Sequence, residues 1–368
     1  MIGVLLFGAC IFLHELGHFL SAKACKIRVL EFSIGMGPKL LQFHRGETAY
    51  SIRALPIGGF CAFEGESGEE PAPPGQDEAA GADAPAPPQY DERSFCRQPA
   101  WKRLLVLVMG GVMNIVFGLV LMAVLLAPQE AFASTTISKF TEHSPMQAAG
   151  LLPGDRFVSI DGYNIHTDMD ISVALSLADP DHVDLVVDRG GQTLSFPDLR
   201  LLSQTVDGRK MVQMDFYVYP IERTPGALLQ KTFANTYSVE RMVILTLKGL
   251  LTGQFGLNDV AGPVGMAQAI TQSASAGLQS GFGDAVSNIV NAIMIITVNL
   301  GIANLLPIPA LDGGKILFLL IELIRRKPLR YKTQTVVETG FMAALIGFMV
   351  IVTISDVLRL ATGTGLGG

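Results

Sequence analysis

Residues 1–22 read MIGVLLFGACIFLHELGHFLSA. The run is apolar and long enough for a helix crossing a bilayer, which needs about 20 such residues. Yet HELGH, residues 14–18, places two imidazoles and a carboxylate where each is costly. Ionisable groups persist at such depth when they have a function, so the stretch sets both the fold class and the chemistry. On a helix, residues four apart share one face, so His14 and His18 can reach a single metal ion. H-E-x-x-H is a zinc pattern, with Glu15 placed to take a proton from an activated water.

The rest of the chain agrees with a membrane setting. Of 368 residues, 49% are hydrophobic and only 16% charged, with a mean hydropathy of +0.40. A soluble domain carries about a quarter of charged residues. The net charge of −6 and the lack of a long basic tract argue against nucleic-acid binding. The four cysteines, Cys10, Cys25, Cys61 and Cys96, form no C-x-x-C pair and read as reduced packing residues. Residues 1–24 read as a retained first span, since no basic region or small-x-small cleavage site marks a signal peptide. Further spans are expected over 101–127, over 285–327 with a break and a following helix, and over 333–360. Lysines and arginines cluster at 23–28, 102–103 and 325–332. With four spans, all three clusters fall on the cytoplasmic side, and both termini and residues 128–284 lie outside.

Between the first two spans, KLLQFH and TAYSIRAL flank RGE and predict a β-hairpin within 25–63, bordered by glycines at 35, 37, 58 and 59. Anchored by two spans, it is expected to associate with the membrane where protein shields its backbone. Residues 64–92 hold nine acidic residues, six prolines and no basic residue. A disordered insert is therefore expected over 64–98. Residues 128–220 read as a soluble α+β domain, and 221–284 as an extracytoplasmic connector.

Zinc needs a third protein ligand and an open position. The other four histidines, His44, His143, His166 and His182, lie outside the apolar spans. In NLLPIPALDGG, residues 304–314, two prolines break the third span and Asp312 follows. The first and third spans run in the same direction, so Asp312 shares the depth of His14 and His18. Glu322 and Glu338 read as boundary charges, and Asp356 falls at the opposite end of its span. Cys10, one turn before His14 on the same helix, is poorly placed to close the site.

SPMQAAGLLPGD (144–155) followed by IDG (160–162) resembles a circularly permuted bacterial PDZ domain. That resemblance implies a peptide-binding strand at about Lys210 to Phe216, with Met214 and Phe216 as contacts, although the usual glycine of that strand is missing. The order HELGH, FSIGMGPKLL (32–41), LPIGGF (55–60), PDZ-like segment, GPVGMAQ (262–268), NLLPIPALDGG resembles the site-2 proteases, in the branch of the regulator-of-sigma-E protease. The resemblance implies zinc on His14, His18 and Asp312, Glu15 as general base, and Asn304 as a holder of substrate backbone. Gly35, Gly37, Gly58 and Gly59 would be further substrate contacts. It also implies a bacterial inner membrane, an active site near its cytoplasmic face, and single-pass substrates such as anti-sigma factors or signal-peptide remnants. The expected fold is thus a polytopic α-helical membrane protein with four transmembrane helices, a membrane-associated β-hairpin and one extracytoplasmic PDZ-like α+β domain. A metal transporter and a non-catalytic scaffold fit parts of this pattern, but neither needs Glu15 at its spacing.

Overall fold

The computed structural model describes residues 2–66, 91–206, 209–253, 262–327, 329 and 331–362. It divides into two compact units, residues 1–118 with 292–350, and residues 119–291 with 351–368.

In the first unit, helix α1 (Ile2–Ala24) carries HELGH in its second half. Strands β1 (Val29–Arg45) and β2 (Thr48–Phe63) follow, joined at Gly46 and Glu47. The expected hairpin is present, but it is more than a simple pair. Phe32 pairs with Cys61 on one side and with Tyr50 on the other. The two strands fold back, so four segments lie side by side in the order 39–45, 48–53, 31–34, 59–63. The bends fall at glycines with positive φ, including Gly35 (83°) and Gly58 (84°). A side chain at Gly35 would also meet the Leu55 carbonyl at 2.4 Å. Ile27, Val29, Phe32, Cys61 and Phe63 are buried, with Phe12, Leu16 and Phe19 of α1 packed against this cluster.

Most of the acidic insert, residues 67–90, lies outside the described residues. The expectation of disorder was too wide at its ends. Phe95 N–H donates to the Glu64 carbonyl at 2.7 Å, Ser94 Oγ donates to Glu64 Oε2 at 2.7 Å, and Phe63 stacks on Phe95. These bonds tie both ends of the insert to the base of the β-segment.

Helix α2 (Ala100–Leu126) carries no charge after Arg103. Of the second unit, β3 (Ala131–Phe140), α3 (Pro145–Ala148), β4 (Arg156–Ile160), β5 (Tyr163–Asn164), α4 (Asp168–Leu177), β6 (Val183–Arg189), β7 (Gln192–Leu199), β8 (Ser203–Val206), β9 (Arg209–Val212) and β10 (Phe216–Glu222) form a β-rich domain. Its main sheet has the order β10-β3-β4-β6-β7, with β5 on β4 and β8 paired to β9. Met146, Leu151, Phe157, Leu185 and Val187 fill the core. The strand expected at about Lys210 to Phe216 is not continuous: β9 ends at Val212 and β10 begins at Phe216. Asp215 causes the break: buried, it accepts Ser144 Oγ at 2.5 Å, and its carbonyl accepts the Thr141 N–H.

The connector expected over 221–284 is largely helical, as α5 (Pro225–Thr252) and α6 (Pro263–Ser280). Helix α5 is bonded to the β-rich domain along one face, by Lys231 to Asp168 (2.5 Å), Ser238 to Thr167 (2.9 Å) and Arg241 to Asp170 (3.4 Å). The chain continues through α7 (Phe282–Leu305), α8 (Asp312–Arg325) and α9 (Tyr331–Thr362). Among the described residues three helices are long and apolar enough to cross a membrane: Ala100–Leu126, Phe282–Leu305 and Lys332–Arg359.

Candidate metal centre

Three elements of the first unit meet at one point. Helix α1 presents His14 and His18 one turn apart on the same face. Pro307 and Pro309 end α7 and forbid its continuation, so α8 starts afresh with Asp312 in its first turn. His14 Nε2 lies 2.9 Å and His18 Nε2 3.0 Å from Asp312 Oδ2, and the two imidazole nitrogens are 3.2 Å apart. Both histidines are buried. The triad is the one His/Cys/Asp/Glu group able to hold a metal among the described residues.

The donor set fits zinc. Ligands at tetrahedral zinc distances of about 2.0–2.1 Å stand roughly 3.3 Å apart, and the three observed separations come within a few tenths of an ångström of that. Two imidazoles and one carboxylate leave a fourth position for water or substrate. The outer nitrogen of His18 is also held. Nδ1 lies 2.8 Å from the Val106 carbonyl of α2, which can only accept, so Nδ1 carries the proton and Nε2 is free to ligate.

Sequence reasoning missed the residues that shape the wall of this site. A Cβ on Gly110 of α2 would lie 2.3 Å from His18 Nε2 and 2.8 Å from His14 Cε1. Gly17, inside HELGH, would place a Cβ 2.2 Å from the Met109 carbonyl. The two glycines let α1 and α2 approach closely enough for Val106 to reach His18. Their signal in the sequence was the pair Gly110-Gly111 within an otherwise bulky apolar run.

Other expected site residues fall differently. Asn304 lies beside His14, with Nδ2 3.3 Å from Nδ1 and 3.4 Å from Nε2. Gly59 is next to Glu15, whose Cγ would be 3.5 Å from a Cβ there. Gly35, Gly37 and Gly58 all have positive φ and serve as bends. Met214 is exposed, but Phe216 is buried in the β-rich core, its ring 5.0 Å from that of Phe157. The Phe216 side chain is therefore closed to a peptide, which corrects the expectation that it contacts substrate. The rival carboxylates have other partners. Glu322 accepts Arg103 at 2.8 Å. Asp356 accepts the Gly265 N–H at 2.7 Å and so caps the first turn of α6. Lys315, one turn after Asp312, pairs with Glu66 at 2.7 Å, at the edge of the β-segment.

Comparison with known proteins agrees with this chemistry. The profile of peptidase family M50 matches residues 2–348. A Clostridium perfringens protein with the provisional name zinc metalloprotease is 36% identical over 359 residues, covering 96% of this chain and 97% of its own. The regulator of sigma-W protease RasP of Bacillus subtilis is 28% identical over 420 residues, covering 97% of each chain. The zinc metalloprotease RasP of Bacillus licheniformis is 29% identical over 425 residues, covering 97% of this chain and 98% of its own. With a zinc-fitting triad on apolar helices and a family match along nearly its whole length, the chain belongs to peptidase family M50, the site-2 proteases, and is a membrane zinc metalloprotease.

Proposed function

We propose that the protein cuts single-pass membrane proteins within the bilayer, with zinc held by His14, His18 and Asp312 and with Glu15 as general base. The observation that carries this reading is the triad of His14, His18 and Asp312 atoms within about 3 Å of one another, on α1 and in the first turn of α8. When bound there, zinc supplies Lewis acidity to the scissile carbonyl and to the attacking water. Glu15, next to both histidines, takes the proton of that water and delivers it to the leaving amide nitrogen. The Val106 carbonyl keeps His18 in its ligating tautomer. Asn304 stands beside His14 where it can bond the substrate backbone.

A transmembrane helix hides its carbonyls in internal hydrogen bonds, so the substrate must unwind before attack. Segment 59–63 ends the row of β-segments and passes Glu15 at Gly59. An unwound substrate can add to that edge as an extended strand, which brings its carbonyls to the site. Exposed Leu40, Leu41, Phe43 and Leu55 on the same β-segment suit contact with acyl chains.

Four spans with both termini outside, and a PDZ-like domain outside acting as a size filter, complete the proposal. It draws on the basic clusters at 23–28, 102–103 and 325–332. The name of the Bacillus subtilis relative favours membrane-bound anti-sigma factors as substrates, with signal-peptide remnants as a further class. The test is cleavage of a single-pass substrate in proteoliposomes. Wild type should cut inside the apolar segment, and Glu15→Gln should not. Cuts confined to the soluble flank would refute the intramembrane reading.

A further inference from the structure

The free edge of the β-segment is closed at one end. Glu64 N–H donates to the Arg28 carbonyl at 3.2 Å, so it points into the sheet. Successive backbone groups of a strand point to alternate edges, so those of Phe63, Cys61 and Gly59 face the free edge. At Phe63 both groups are already taken. Its N–H donates to Glu66 Oε2 at 3.4 Å, and its carbonyl accepts the Glu66 N–H at 3.4 Å. Lys315 holds the same carboxylate: Nζ donates to Glu66 Oε1 at 2.7 Å, and both side chains are half-buried. Lys315 lies one turn after Asp312 on α8, and its charge acts on Glu15 and Asp312 as well as on Glu66. Glu66 stands at the start of the acidic insert, so the insert reaches the helix that carries Asp312.

An extended substrate adding to this edge can bond to Gly59, beside Glu15, and to Cys61, but not to Phe63. Past Cys61 its backbone finds no partner on the edge, so within a membrane it has to return to helix there. Side chains alternate with a period of two, so a substrate keeps its faces only if it slips in steps of two residues. The next register along the edge is the one that Glu66 blocks. We propose that Glu66, held by Lys315, is an end stop that fixes where the substrate changes from strand to helix, and so selects the peptide bond presented for cleavage. Both are positioning residues, acting through the edge rather than on the reacting atoms. The inference rests on the proposed roles of segment 59–63 as the substrate edge and of Glu15 as the base.

The test uses the full chain in proteoliposomes with a single-pass substrate, and mass spectrometry of the products reads which bonds are cut. In Lys315→Met and Glu66→Ala the edge gains Phe63, so a cut two residues from the main one should grow, on one side only. Its share relative to the main cut should rise about fivefold, the most that a half-exposed ion pair holds. Both variants should keep zinc. Lys315→Arg preserves the pair and should keep the wild-type pattern. Glu322→Gln removes a different ion pair of α8, with Arg103, and should also keep it. A second arm follows hydrogen exchange of the Phe63 amide in the Glu15→Gln background, which needs no turnover: exchange should be faster with Lys315→Met and unchanged with Lys315→Arg. An unchanged cut pattern in Lys315→Met and Glu66→Ala overturns the end stop, as does unchanged Phe63 exchange or the same new cut in Glu322→Gln. Loss of zinc in Lys315→Met overturns it too, since the pair would then support the metal site. Cleavage by Glu15→Gln would overturn the catalytic reading instead, and the exchange arm would still report on the stop.

Discussion

Gly110→Ala adds one methyl group to α2 and should disable the metal site. Its Cβ would stand 2.3 Å from His18 Nε2 and 2.5 Å from His18 Cε1, where ordinary contact begins at 3.4 Å. The shortfall is 3.4 − 2.3, or about 1.1 Å, several times the tolerance of about 0.2 Å on a ligand distance. The ring cannot turn aside without losing the 2.8 Å bond from Nδ1 to Val106. Helix α2 cannot retreat either, since a Cβ on Gly111 would already be 2.8 Å from the Gly301 carbonyl of α7. Overpacking of this kind costs about 1–3 kcal/mol. A misplacement of about 1 Å costs roughly 100-fold in rate. The expected result is a folded protein that loses zinc to a weak chelator and cuts a single-pass substrate at least about 100-fold more slowly. Gly347→Ala is the control: nothing lies within 4 Å of its Cβ, so zinc and rate should hold. Metal analysis after chelator dialysis, cleavage rates and thermal melts measure the three quantities. Full zinc occupancy with near wild-type cleavage in Gly110→Ala would refute the packing argument.

Further outcomes follow from the same geometry. Glu15→Gln should keep zinc while abolishing cleavage, because an amide removes the base and no ligand; metal analysis beside the cleavage assay decides it. Asp356→Ala should keep zinc but speed hydrogen exchange in the first turn of α6, because the Gly265 N–H loses its acceptor. In the β-rich domain, burial raises the Asp155 carboxyl pKa, but two bonds from Arg189 and one from the Leu152 N–H outweigh it and leave it below the ordinary value. The stability this pairing contributes is present above the unfolded pKa of about 3.9 and is lost as pH falls through the lower folded value. Arg189→Leu should therefore lower the melting temperature at pH 6 more than at pH 3; equal losses at both would contradict it.

The three residues of the proposed metal site were readable from local rules and from span direction. HELGH encodes its own geometry through the helix repeat. Asp312 was reachable through its depth, set by span direction, and through the two prolines that stop α7. The β-hairpin was legible from the RGE turn, but its folding back on itself was not. That depends on Gly35 and Gly58 and on pairing of 31–34 with both 49–52 and 59–63, which no local pattern announces. Gly17 and Gly110 were hidden for a similar reason, since each matters for what a neighbouring helix places against it. The break at Asp215 arises from Ser144 and Thr141, some seventy residues earlier in the chain. The extent of α5 and α6 was missed because their moderate polarity matched a connector as well as a helix packed on a domain.

X-ray absorption at the zinc edge of the full-length protein tests the central claim most directly, with wild type and Asp312→Ala compared in the same detergent. The account predicts two imidazole nitrogens and oxygen donors at about 2.0–2.2 Å in wild type, no sulfur, and loss of bound zinc in Asp312→Ala. A sulfur shell at about 2.3 Å, or full zinc binding in Asp312→Ala, would contradict it.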